Sequence, residues 1–254
     1  MIPIDLSGKR AIVTGATGEL GRVIARTLAQ AGADVAIHYL KSADKAHALQ
    51  KDVQALGRKA CAVQADVTKA ADIARLRDEV RRQLGAPDII VNNAVIQYQW
   101  VSVLNQSPDD YRSQFESCVL HNVLMAKAFV PDMIQRRWGR VIAINTECAM
   151  QCTPNQSAYV SGKRGMDGVL RCLAREIGEH EITVNQVAPG WMISDKYRST
   201  GTERQAGYEA NIPLRHRGED QDIANVVAFL ASDLGRFVTG AYIPVCGGNV
   251  MPCI

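Results

Sequence analysis

Arg10-Ala11-Ile12-Val13-Thr14-Gly15-Ala16-Thr17-Gly18-Glu19-Leu20-Gly21 is the stretch that decides how this chain folds. Ala11-Ile12-Val13 lacks the polar alternation of a half-exposed strand, so it predicts a strand buried on both faces. The run passes directly into a turn with glycines at 15, 18 and 21, and a helical stretch follows. Glycine lets that backbone turn tightly and approach a pyrophosphate, whose negative charge the helix N-terminus then stabilises. Glycine-rich turns are common, but behind the first strand of a β-α-β unit such a turn points to a dinucleotide.

Outward from this turn, strand-like runs at 10–14, 34–39, 60–64, 88–92, 140–145, 183–187 and 242–245 alternate with helical stretches. The helices fall near 19–31, 43–57, 69–84, 109–137, 156–179 and 220–232. This alternation predicts an α/β architecture: a single doubly wound Rossmann-type domain over 1–254, with a mostly parallel seven-stranded sheet and helices on both faces. No linker or low-complexity stretch divides the chain. Residues 191–213 have the least periodicity and carry Gly201, Gly207 and Pro213, so they are expected to form either a loop over a ligand or an ordinary surface excursion.

The composition narrows the function classes. At 254 residues, 47% hydrophobic and 22% charged, the chain suits a globular protein with a sizeable core. Its net charge is +3, and its one tight basic cluster, Arg136, Arg137 and Arg140, reads as a solvated helix end rather than a nucleic-acid surface. No apolar run approaches the ~18 residues of a membrane-spanning helix. The start, Met1-Ile2-Pro3-Ile4-Asp5-Leu6-Ser7-Gly8-Lys9-Arg10, has no apolar signal core, so a cytoplasmic location is expected. Cysteines at 61, 118, 148, 152, 172, 246 and 253 form no Cys-x-x-Cys pair, and no histidine pair accompanies Cys148 and Cys152. Reduced thiols and no metal site are expected.

A second chemical signal lies in Ser157-Ala158-Tyr159-Val160-Ser161-Gly162-Lys163. On a helix, Tyr159 and Lys163 share a face about 6 Å apart along the axis. Free tyrosine titrates near pH ~10, and a neighbouring cation favours the phenolate. Bringing it near neutrality takes about 4 kcal/mol of differential stabilisation, more than one lysine readily supplies, although lysine with a cationic cofactor ring would reach it. Such a pair suits proton transfer to or from a substrate oxygen.

The end of the second strand bears on cofactor choice, because an acid there would bind the ribose hydroxyls of NAD and repel a 2′-phosphate. Here the strand ends Ile37-His38-Tyr39-Leu40-Lys41-Ser42, with Tyr39 where the acid is expected. With Lys41, Ser42 and His38 nearby, NADP is weakly favoured and NAD stays open.

Taken together, the glycine turn, Asp66-Val67, Asn92-Asn93-Ala94, Tyr159-x-x-x-Lys163, Pro189-Gly190 and Gly247-Gly248 resemble the short-chain dehydrogenase/reductase family. The resemblance covers essentially the whole chain, with a general likeness to bacterial 3-oxoacyl-carrier-protein reductases. It implies an NAD(P)-dependent oxidoreductase acting on a small carbonyl or alcohol substrate, usually as a homo-oligomer, often a tetramer, packed through the helices at 109–137 and 156–179. It further implies that Gly15, Thr17, Leu20 and Gly21 line the pyrophosphate and that Asp66 and Val67 contact adenine. Asn93 and Ala94 would flank the adenosine ribose, and Pro189, Gly190, Met192 and Ser194 would run along the nicotinamide. Lys163 would hold the nicotinamide ribose and lower the pKa of Tyr159, the general acid/base.

There are also departures from the family pattern. Thr146 stands where the family has a catalytic serine and keeps the hydroxyl. Cys118 stands at the position of the family's catalytic asparagine, with Asn122 one helical turn on. Glu19 and Val95 replace usual glycines, and Cys246 a usual aspartate. Cys118, Glu19 and Val95 leave open a second expectation, a non-catalytic or weakly active nucleotide-binding protein acting through a partner. Thr146, Cys148, Gln151, Cys152, Tyr159, Gln97 and Trp191 are the candidates for the substrate pocket, and no arginine in the loop around Tyr159 suggests a strongly anionic substrate.

Overall fold

A computed structural model describes residues 3–252 of the chain; Met1, Ile2 and Cys253 from the stretches above lie outside the described residues. Its elements run β1 (Arg10–Val13), α1 (Glu19–Gln30), β2 (Asp34–Tyr39), α2 (Ala43–Ala55), β3 (Ala60–Gln64), α3 (Ala70–Leu84) and β4 (Ile89–Asn92). Then come α4 (Pro108–Gln114), a π-helical segment Phe115–Leu120, α5 (His121–Arg136), β5 (Gly139–Ile144), α6 (Cys148–Gln151) and α7 (Ser157–Ile177). The chain continues through β6 (Ile182–Pro189), α8 (Asp195–Thr200), α9 (Ala206–Glu209), α10 (Asp220–Ala231) and β7 (Tyr242–Val245).

The seven strands form one sheet in the order β3-β2-β1-β4-β5-β6-β7. Every pairing is parallel, so the sheet is fully rather than mostly parallel. Alternate residues of each strand feed opposite cores. Ala11 and Val13 pack with α1, α2 and α10 on one face, while Ile12 packs with α3, α5 and α7 on the other. The unbroken apolar strands are therefore the direct cause of the three-layer arrangement.

Two expectations change. The helix expected over 109–137 carries a π turn at Phe115–Leu120, which widens the backbone where it meets α7. Arg140 is not at a solvated helix end. It lies on β5, its side chain 3% exposed, with its N–H groups donated to the carbonyls of Gly139 and Glu181 and to Asp233. Among the described residues no helix is long and apolar enough to cross a membrane, and every cysteine is a free thiol.

Candidate functional site

In a parallel sheet, ligands gather beyond the C-terminal strand ends where the strand order reverses. Here that point lies between β1 and β4, and Thr14 fastens it. Its hydroxyl accepts the N–H groups of Asn93 and Ala94 at 2.9 and 3.1 Å. The Asn93 amide donates back to the carbonyls of Thr14 and Gly15 at 3.0 and 3.2 Å.

The glycine turn beside it has no room for side chains. Gly15 has φ +61°, and a Cβ there would sit 2.9 Å from Ala94 Cα. At Gly21 a Cβ would come within 2.3 Å of the Gly15 carbonyl oxygen, so Gly21 packs α1 onto the turn rather than facing the cavity. Gly18 is the N-cap of α1 and offers no side chain to the first N–H groups of the helix, which leaves them for an anion. His38, buried beneath the turn, ties it down: Gly15 N–H donates to Nδ1 at 3.0 Å, and Nε2 lies 2.9 Å from the Ala65 carbonyl. A backbone N–H only donates and a carbonyl only accepts, so His38 is the neutral Nε2–H tautomer. Burial pushes its pKa down accordingly.

A cavity of about 690 Å³ extends from this turn. Of the residues expected to bind cofactor, it is lined by Gly15, Thr17, Leu20, Lys41, Ser42, Val67, Asn93, Ala94, Tyr159, Lys163, Pro189 and Gly190. Gly21, Tyr39, Asp66, Met192 and Ser194 are not on its wall. Tyr39 turns edge-on to His47, with ring centroids 6.5 Å apart. Asp66 folds into its own turn, accepting from Thr68 N and Oγ1 at 3.0 and 2.7 Å. Ser194 instead begins α8 as its N-cap. Leu40, Gln97, Ser117 and Asn145 lie on the wall without having been singled out as cofactor contacts. Ser117 had no signal to reveal it, because the π turn is what brings it to the surface of the cavity.

The catalytic candidates meet at the far end. Thr146 and Tyr159 line both this cavity and a second one of about 670 Å³, as do Gln97 and Gly190. Thr146 stands two residues past the end of β5, and its carbonyl accepts the Tyr242 hydroxyl at 2.5 Å. Tyr159 lies in the first turn of α7, where its N–H donates to Tyr98 Oη at 2.6 Å. Trp100 stacks on its ring at 5.9 Å between centroids and 26° between planes. Lys163, one turn on, is 4% exposed and donates Nζ–H to the Ile144 carbonyl at 2.6 Å. Its Nζ stands 5.7 Å from the Tyr159 ring centroid.

Burial dominates the ionisation of this pair. It pushes the phenol of Tyr159 up, with Cys148 and Cys118 adding to the rise and Thr146 opposing it, and it pushes the ammonium of Lys163 down. The expected lowering by Lys163 is therefore outweighed in the protein alone.

The departures also find their places. Glu19 lines the first cavity, with its carboxylate held by neighbouring groups. It bonds Arg22 at 2.9 Å and accepts the Lys196 N–H at 3.3 Å, while Arg22 also reaches Asp195 at 2.6 Å. Cys118 is buried in the π turn, and its carbonyl accepts the Asn122 amide at 2.6 Å. Asn122 thus supports the backbone at 118 and does not replace its side chain. Cys152 is exposed and off the second cavity, whereas Cys148, Gln151 and Trp191 line it. The stretch 191–213 is built from α8 and α9 and contributes Trp191, Tyr197, Tyr208 and Asn211 to that wall.

The two cavities thus meet at Thr146 and Tyr159, with Lys163 on the wall of the first. The family model described as Enoyl-(Acyl carrier protein) reductase matches residues 15–249. The chain is 36% identical over 243 residues to a 3-oxoacyl-[acyl-carrier-protein] reductase of Staphylococcus epidermidis, covering 96% of this chain and 99% of that one. Among solved structures it resembles a blue fluorescent protein from a metagenomic library in complex with NADPH. That match has a TM-score of 0.88 and 36% identity, and covers 97% and 100% of the two chains. It also resembles a 7α-hydroxysteroid dehydrogenase in complex with NADH and 7-oxoglycochenodeoxycholic acid, with a TM-score of 0.88, 32% identity, and 97% and 96% coverage. The chain belongs to the short-chain dehydrogenase/reductase family and is an NAD(P)-dependent oxidoreductase.

Proposed function

We propose that the whole chain works as one nucleotide-binding unit that interconverts a carbonyl and a secondary alcohol, with Thr146, Tyr159 and Lys163 as its catalytic residues. The observation that carries this is the shared wall: Tyr159 and Thr146, the two hydroxyl groups among the residues common to both cavities, stand where they meet, beside Gln97. The turn at Gly15–Gly18, the exposed N-terminus of α1 and the pinned Asn93 fit a dinucleotide, whose nicotinamide, when bound, supplies or takes the hydride at carbon. In reduction Tyr159 gives its phenolic proton to the substrate oxygen, and in oxidation it takes the hydroxyl proton back. Thr146 orients that oxygen. Lys163 holds the ribose and, together with a cationic ring, offsets the burial that raises the phenol.

With Leu40, Lys41 and Ser42 on the wall beyond β2 and no acid among them, NADP is the favoured partner over NAD. Exposed Phe115 and Leu120 on the helices beside α7 support a homo-oligomer, with the tetramer as the proposed form, and the cytoplasm is the proposed location.

Tyr159→Phe tests the proton donor. Turnover is expected to fall about 10²–10⁴-fold while NADPH affinity stays unchanged by fluorescence titration; undiminished turnover would remove Tyr159 from the mechanism. Direct comparison of NADP and NAD binding tests cofactor choice, and a clear preference for NAD would overturn it.

A further inference from the structure

The second cavity has an unusual wall. Six aromatic side chains face it: Tyr98, Trp100, Tyr159, Trp191, Tyr197 and Tyr208. The amides of Gln97, Gln151, Gln156, Asn211 and Asn249 supply paired donors and acceptors between them. No lysine, arginine or histidine belongs to this wall among the described residues, and its one charged group is Glu147. Arg217 lies behind the rings, 4.8 Å from the centroid of Trp191 and 4.4 Å from that of Tyr197. Three of its five N–H groups go to the carbonyls of Trp191, Met192 and Glu203, and Arg217 is not on the cavity wall.

Glu147 follows Thr146 in sequence and is only 3% exposed. Tyr208 Oη donates to its Oε1 at 2.7 Å and the Asn249 amide donates to Oε2 at 3.0 Å. A carboxylate has about four acceptor positions, so each oxygen keeps one free. Among the described residues no cation on the wall balances it, and burial pushes its pKa up against those two hydrogen bonds, since a buried carboxylate is costly unless it is paired or well hydrogen-bonded. The group that completes it therefore carries donors, and like-charge repulsion disfavours phosphates and carboxylates. Flat aromatic faces together with amides suit a compact ring that has both apolar faces and a rim of hydroxyls.

We propose that the substrate is an uncharged, polyhydroxylated ring, a cyclic polyol or its ketone, stacked against Trp100 and Trp191 with a rim hydroxyl donating to Glu147. This rests on the oxidoreductase reading of the same site. In oxidation the ring's carbinol carbon loses its hydrogen with two electrons to the oxidised nicotinamide, the hydroxyl proton passes to Tyr159, and a ring ketone results. Reduction is the reverse, consuming the reduced nicotinamide and one proton. The class differs from the 3-oxoacyl-[acyl-carrier-protein] in the name of the staphylococcal relative.

The test is a turnover panel with the intact protein and both cofactors. It comprises inositols and unphosphorylated hexoses, glucose 6-phosphate, glucuronate, and the N-acetylcysteamine thioester of acetoacetate. The expected result is turnover of an uncharged cyclic polyol, with kcat/KM at least about 100-fold above its phosphorylated or carboxylated counterpart. In Glu147→Gln the KM for that polyol is expected to rise about tenfold or more, with the cofactor KM unchanged and the discrimination against anions reduced. An unchanged polyol KM would remove Glu147 from recognition. Preference for the thioester would overturn the substrate class and leave the hydride-transfer reading standing, whereas no turnover of any compound despite bound NADPH would overturn both. If Glu147→Gln does not fold, the wild-type discrimination between neutral and anionic rings still decides the question.

Discussion

At the scale of single residues, the proposed centre rests on a phenol raised by burial and an ammonium lowered by it. Oxidation needs the phenolate and reduction needs the phenol, so the two directions respond oppositely to pH. With the phenol at or above its ordinary value, the phenolate fraction grows about tenfold per pH unit through neutrality. kcat/KM for oxidation is expected to climb with that slope over about pH 6 to 8 while reduction stays flat. Initial-rate profiles in both directions check this, and Tyr159→Phe is expected to abolish the slope along with the rate. The nearness of Tyr159, Lys163 and Thr146 was legible in the sequence, because they hold their spacing on one helix and just past one strand end. Glu147 was not, because its partners Tyr208 and Asn249 lie 61 and 102 positions away in sequence. Only tertiary packing turns an acid beside Thr146 into a feature of the pocket. His38 was noted merely as near the cofactor; the two bonds that fix its tautomer come from a turn and a strand end brought together by the sheet.

At the scale of elements, α7 carries Tyr159 and Lys163, and α4 with the π turn sets its position. Gly162, next to Lys163, is the point of closest approach: a Cβ there would lie 2.8 Å from the Gln114 carbonyl oxygen. Gly162→Ala is expected to push α7 away from that segment, destabilising the protein by about 1–3 kcal/mol. Turnover should fall with it, because the pair rides on the displaced helix. Urea denaturation and steady-state rates on one sample check both effects. The strand and helix pattern was readable from apolar runs and turn residues, with ends displaced by a residue or so, as at β5, which begins at Gly139. The π turn was not readable. It differs from an α-helix only in which carbonyl each N–H reaches, and no composition marks that choice.

At the scale of the whole molecule, two histidines buried neutral under the sheet's C-terminal edge govern stability in acid. Burial lowers His38 and takes His121 to about 3, with the charge of Lys163 pushing His121 the same way. In the unfolded chain both titrate near ~6.5, so below that pH the unfolded state binds protons the folded state refuses. The stability these groups provide is complete above about pH 6.5 and declines as pH falls towards the folded pKa, by up to about tenfold in folding equilibrium constant per pH unit for each histidine. Denaturant midpoints at pH 7.5, 6 and 5 are expected to show that decline, and a midpoint constant over this range would contradict it.

Arg22 bridges Glu19, at the head of α1, and Asp195, at the head of α8. The same cation thus fastens the phosphate end of one cavity to the wall of the other. Glu19 lines the first cavity, so a dianionic pyrophosphate at the head of α1 would repel it and draw on Arg22, and the position of α8 is expected to depend on whether the nucleotide is already seated. The kinetic consequence is an order of arrival, with nucleotide first on and last off. Product-inhibition patterns are expected to be competitive between the two nucleotide forms and noncompetitive between nucleotide and carbonyl product. Arg22→Met is expected to relax that order towards random binding.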